Sequence, residues 1–134
     1  MSEIKTINKL EQGRAKFAYD CASKAGHTNK EYRSYVKKFP MMVKSSGLGA
    51  AMAFAFSKKK NGNAWDLLYN DIGRYLKQNK SFLLGESPDM ELSDLVISLD
   101  SQQYRLLTIE ILAFLTWLRR FAEGLIESDS EKNS

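Results

Sequence analysis

The chain has one cysteine, one histidine and two prolines in 134 residues, and nowhere an apolar run that could fill a bilayer. Cys21 alone cannot close an internal disulfide, and with His27 as its only soft companion it cannot furnish a structural zinc site, so a reducing, cytoplasmic setting is expected. The opening MSEIKTINKL has no apolar h-region, so neither a signal peptide nor a membrane anchor is expected there. No useful stretch alternates apolar and polar residues with period two, which leaves no candidate strands. Nucleophilic catalysis would need a Cys21–His27 pair, yet Cys21 falls on the apolar side of its helix, where thiols are inert. The acids Asp66, Asp71, Glu110 and Glu123 are not spaced to stand side by side around a cation. No catalytic residue, metal, cofactor or small-molecule substrate is expected.

What is present is helical periodicity. Tyr104, Leu107, Ile111, Phe114, Leu118, Phe121 and Leu125 recur in alternating steps of four and three, and Leu112, Leu115, Ala122 and Ile126 form a second row. Asp100 is a good N-cap, so a helix of about seven turns, roughly 40 Å, is predicted over 100–127. Leu106, Ile109, Ala113 and Trp117 widen its apolar circumference, which predicts cover on several sides. Arg105, Glu110, Arg119, Arg120 and Glu123 exclude a membrane span.

Earlier helices are predicted over 3–25, with Ile4, Ile7, Leu10, Phe17, Ala18, Cys21 and Ala25 on one side, and over 30–39, capped by Thr28 or Asn29. Pro40 should end or bend the second and open a further segment through Val43. Residues 45–57 are nearly uncharged and suggest a buried helix; the amides near Gly47 and Gly49 could also meet a phosphate, though no nucleotide-binding P-loop follows. Asn63 caps a helix over 64–79, a loop spans 80–90, and 91–99 forms a short amphipathic helix. The fold class is therefore all-α: a compact single-domain bundle of about five to seven helices around the long C-terminal one. Residues 1–127 form the domain and 128–134 a disordered polar tail.

Charge is uneven. Residues 1–60 hold thirteen basic side chains against four acidic ones, and residues 61–134 seven against twelve. Lys30, Arg33, Lys37, Lys38 and Lys44 lie within fifteen positions, and Lys58, Lys59 and Lys60 follow at the end of the next helix. Such a patch suits electrostatic contact with a nucleic-acid backbone, without base reading. A helix-turn-helix reader over 30–57 is disfavoured, because Ala, Met and Phe stand where base-reading side chains belong. Tyr32 and Tyr35 could stack on bases, but their spacing with Val36 and Phe39 marks them as core. Glu11 and Arg14 project into an apolar sector three residues apart, as an ion pair at a helix junction or a subunit contact.

Several stretches together resemble one family: Glu11-Gln12-Gly13-Arg14-Ala15; Lys30-Glu31-Tyr32 through Tyr35-Val36-Lys37-Lys38 with Pro40; Gly47-Leu48-Gly49 with Ala53-Phe54; and Tyr104-Arg105, Thr108, Glu110 and Trp117-Leu118-Arg119-Arg120-Phe121-Ala122. Over about residues 8–127 the chain is similar to the small (fifth) subunits of the type III-B CRISPR effector complex, the Cmr RAMP module. The resemblance implies a helical protein without its own catalysis, stacked along the guide-RNA filament and holding target RNA against the guide. Its implied partners are the backbone RAMP subunit, further copies of itself, guide RNA and target RNA, with cleavage belonging to the backbone subunit. The resemblance supplies no catalytic residues. RNA contact through the eight basic residues is expected from charge alone, and a purely structural adaptor without nucleic-acid contact is the alternative.

Overall fold

The structure, a computed structural model, describes residues 2–84 and 89–128, with side chains in the first helix from Glu11 onward. The side chains of Ile4, Ile7 and Leu10, residues 85–88 of the expected loop and the tail beyond Ser128 lie outside the described residues. The elements are α1 (Ser2–Ala25), α2 (Lys30–Ser46), α3 (Leu48–Lys58), α4 (Ala64–Asn79), a 3-10 turn (Ser81–Leu84), α5 (Leu92–Ser98) and α6 (Ser101–Leu125). No strand occurs among the described residues, so the all-α expectation holds.

Side-chain caps start three of the helices where they were expected. Asn29 accepts from the amide of Tyr32 at 3.1 Å, Asn63 from that of Asp66 at 2.8 Å and Asp100 from that of Gln103 at 2.8 Å. Each cap satisfies one orphan donor and contributes about 1 kcal/mol.

Pro40 does not end α2, which runs on to Ser46. The two expected segments are one helix because Tyr32, Val36, Phe39 and Val43 keep a single buried stripe in phase on both sides of the proline. That burial offsets the lost rung, worth about 3 kcal/mol. The chain then reverses at one residue, Gly47, with φ 92°, a conformation that costs a Cβ-bearing residue about 1–2 kcal/mol. A Cβ there would also stand 3.3 Å from the hydroxyl of Tyr104.

α6 packs most extensively on α1 and then on α2, while α3, α4 and α5 complete the other side of the core. The predicted cover around α6 is incomplete. Its buried residues Leu107, Glu110, Ile111, Phe114, Leu115, Leu118 and Ala122 occupy an arc of about 140° at 100° per residue. Leu106 and Ile109, on the far side, are 47% and 56% exposed. Nor is α3 buried throughout: Leu48, Ala51, Met52 and Ala55 face inward, whereas Ala50, Ala53, Phe54 and Phe56 are exposed. The two apolar rows read from the sequence do supply Leu107, Ile111, Phe114, Leu115, Leu118 and Ala122 of the inner side of α6, whereas the continuous apolarity of α3 gave no such row.

Aromatic rings order the interior. Tyr75 stacks on Phe114 at 4.2 Å, with Phe17 edge-on to both. Trp65 is stacked by Tyr35 at 4.3 Å and met edge-on by Phe39 and Phe54. Tyr32 is fully buried and Tyr35 half-buried, which gives both the core role that their spacing predicts.

Candidate nucleic-acid interface and the ion pairs behind it

The eight expected basic contacts do not form one patch. At 100° per residue, Lys30, Arg33, Lys37 and Lys44 share one flank of α2, within about 60° of one another, and Lys38 stands about 100° round from Lys37. The first flank faces α6, since Arg33 Nη2 donates to the carbonyl of Glu123 at 3.5 Å. The opposite flank faces α4, where Tyr35 lies on Trp65. Lys58, Lys59 and Lys60 belong to that second side. Asn63, the cap of α4, donates to the carbonyl of Lys58 at 3.0 Å and accepts from the amide of Lys60 at 3.1 Å. Lys58 lies 5.7 Å from the Phe54 ring, and Lys59, half-buried, lies 5.2 Å from Phe56 and 5.4 Å from Tyr69.

Lys37, Lys38, Lys44 and Lys60 are exposed and form no ion pair with a described residue. The amides considered for phosphate are engaged: that of Gly47 donates to Val43 and that of Gly49 to the Tyr104 hydroxyl at 2.8 Å. His27 is exposed in the α1–α2 turn, where its carbonyl accepts from the amide of Glu127 at 2.8 Å.

Arg14 does form a partly buried ion pair, but its partner is Glu110 of α6 and not Glu11. Arg14 Nε and Nη2 donate to the two carboxylate oxygens at 2.9 Å each. Glu11 is exposed, beside a small groove shared with Gln12, Ala15 and Trp117. The planar guanidinium meets the planar carboxylate with two hydrogen bonds across the α1–α6 contact. Tyr75 of α4 donates its hydroxyl to Glu110 at 2.6 Å, and the buried Lys80 ammonium stands 3.9 Å away. Burial pushes the Glu110 carboxyl up, but Arg14, Tyr75 and Lys80 outweigh it and hold the group below its ordinary value.

A second buried carboxylate behaves oppositely. Asp71 accepts from the Tyr32 hydroxyl at 2.6 Å and from Arg74, whose side chain is 43% exposed. Burial raises its pKa more than those partners lower it. Burial also pushes the Cys21 thiol up to about 12, with Asp71 adding to the effect. That thiol is therefore protonated and inert at neutral pH.

Asp71, Tyr75 and Lys80 were not anticipated as a network. The available signal was Glu110 itself, a charge in phase with Leu107 and Phe114, which calls for a buried cation. Among the described residues, no group of three or more His, Cys, Asp or Glu side chains could hold a metal ion. No described helix is long and apolar enough to cross a membrane.

The sequence model of the family described as CRISPR-associated protein (Cas_Cmr5) matches residues 10–125. The CRISPR system Cmr subunit Cmr5 of Thermus thermophilus is 35% identical over 115 residues, spanning 84% of this chain and 92% of that protein. The crystal structure of a CRISPR-associated Cmr5 family protein from the same organism superposes with a TM-score of 0.71 at 34% identity, covering 87% of this chain and 97% of that one. Sequence match, identity and fold agree over most of the chain, which belongs to the Cmr5 family of CRISPR-associated proteins.

Proposed function

We propose that the chain is a non-catalytic small subunit of a type III-B Cmr RNA-guided complex, stacking along the backbone filament in the cytoplasm. It holds target RNA against the guide RNA through its basic surface, with the backbone RAMP subunit and further copies of itself as protein partners. The observation that carries the proposal is the set of exposed lysines, Lys37, Lys38, Lys44 and Lys60, that no described carboxylate neutralises. Uncompensated cations on a rigid helical surface attract a polyanion and release its counterions.

The test is a salt series on an unstructured single-stranded RNA, followed by fluorescence anisotropy. The logarithm of affinity should fall against the logarithm of salt with a slope of about −0.7 per neutralised phosphate. A flat response, or no binding, would overturn the RNA-holding role.

The exposed Leu106 and Ile109 favour a second reading, a protein adaptor without RNA contact. Charge reversal at the lysines would then leave RNA capture by the assembled complex intact. Arg14→Ala cannot separate the two readings, because Arg14 holds the fold together through Glu110.

A further inference from the structure

Within the proposed RNA-holding role, on which the following rests, we infer that the strand runs along the groove between α2 and α6, contacting Arg33, Lys37 and Lys44 on one wall and Arg105 on the other. The cluster at the end of α3 lies off its path.

α2 and α6 are antiparallel neighbours. Arg33, near the start of α2, reaches the carbonyl of Glu123 near the end of α6, and Tyr104, near the start of α6, reaches Gly49 just past the end of α2. Those contacts also orient each helix about its axis. On α6, Arg105, Thr108, Leu112 and Arg119 lie within about 60° of one another, on the flank turned to α2. The groove thus has basic residues on both walls, although of the two walls charge counting along the sequence singles out α2 alone. Arg33 to Lys44 spans about 16 Å of helix axis, enough to follow several successive phosphates of one strand.

The charge balance of the groove favours phosphate. Lys37, Lys44 and Arg105 are exposed and have no ion pair with a described residue. Arg33 is anchored only by its single long bond to a carbonyl, and its buried Nε has no hydrogen-bond partner among the described atoms. The acid on the α6 flank, Glu123, is already taken by Arg119 at 3.0 Å. At the α3 end, by contrast, Lys58 and Lys59 lie over aromatic rings. Lys38 faces the same side, across the body of α2 from the groove.

Two triple variants of the full chain decide the matter, each built from exposed residues and checked for an unchanged melting curve: K37Q/K44Q/R105Q in the groove and K38Q/K58Q/K60Q at the α3 end. Each is titrated with a twenty-nucleotide oligouridylate between 50 and 200 mM salt. The groove variant should lose about 2 from the salt slope, so across that range the unaltered chain falls about 18-fold further in affinity than the variant does. The α3-end variant should keep the full slope. Loss of slope in the α3-end variant alone, or equal loss in both, overturns the groove assignment and leaves the RNA-holding role standing. A slope unchanged in both variants overturns the assignment and its electrostatic premise, and absence of binding by the unaltered chain overturns the RNA-holding role itself.

Discussion

Replacing Glu110 by alanine should unlock the bundle, and the expected cost follows from what it leaves behind. Four interactions converge on that carboxylate: two guanidinium bonds from Arg14 at 2.9 Å, the Tyr75 hydroxyl at 2.6 Å and the Lys80 ammonium at 3.9 Å. Removing it strands one cation whose side chain is 22% exposed and another at 9%, together with a buried hydroxyl. Breaking a buried pair from one side costs about 3–5 kcal/mol, and the partial hydration of Arg14 places this case at about 3–4 kcal/mol. For a chain of this size that lowers Tm by roughly 12 °C. Urea denaturation and calorimetry of Glu110→Ala, Arg14→Ala and the double variant would measure it. The double variant should be less destabilised than the two singles combined by at least about 1.5 kcal/mol. A Glu110→Ala loss below about 1 kcal/mol, or additivity of the singles, would show that the network does not hold α1, α4 and α6 together.

The two buried carboxylates should give stability opposite pH dependences. Glu110, depressed below its reference 4.5, contributes stability that is fully present above that pH and lost as pH falls through its folded value. The advantage of the natural chain over Glu110→Gln should therefore shrink on acidification. Asp71, raised above its reference 3.8, binds its proton more tightly when folded, so its ionisation removes stability as pH rises through the folded value. Relative to Asp71→Asn, the natural chain should lose ground over that rise, and denaturation series at successive pH values showing the same sign for both pairs would refute the assignment. Separately, Tyr104→Phe leaves the Gly49 amide without its acceptor and should cost about 1–2 kcal/mol. An unchanged melting temperature would remove that contact from the account of how α3 is set against α6.

Helix starts were the most legible part of the sequence, because a cap is a local device. Asn63 and Asp100 announce themselves by residue type and by the apolar rows that follow, and the structure begins α4 and α6 directly after them. Pro40 misled as a helix end for a complementary reason. Its local preference is to end a helix, but the stripe of Val36, Phe39 and Val43 is decided by packing with distant segments. The partner of Arg14 was out of reach for the same cause: Glu110 is 96 positions away, whereas Glu11 is three. Of the candidate interface, the lysines of α2 could be counted in the sequence, but their division between two flanks could not be assigned until Glu123 and Trp65 fixed what lies on each side. Arg105, read in the sequence as a helix charge and as part of the family match, was not counted among the basic contacts, because it stands alone in an acidic C-terminal half and only folding brings it beside α2.

The geometry of that groove is set from within the bundle. On α4, Asp71 and Tyr75 are four residues apart and so share a face. Asp71 takes the hydroxyl of Tyr32 from α2, and Tyr75 gives its own hydroxyl to Glu110 of α6. One turn of α4 therefore ties both walls of the groove to a common reference, through two hydrogen bonds of 2.6 Å that never reach the surface. Arg14 then draws α1 onto the same carboxylate, which holds α6 from its other side. Substitutions at Asp71, Tyr75 or Glu110 would shift stability and groove shape together, so a fall in RNA affinity on changing them would not identify a contact. Lys37, Lys44 and Arg105 carry no such structural duty: each is exposed and outside both networks, so a change in salt slope on replacing them reports on phosphate contact.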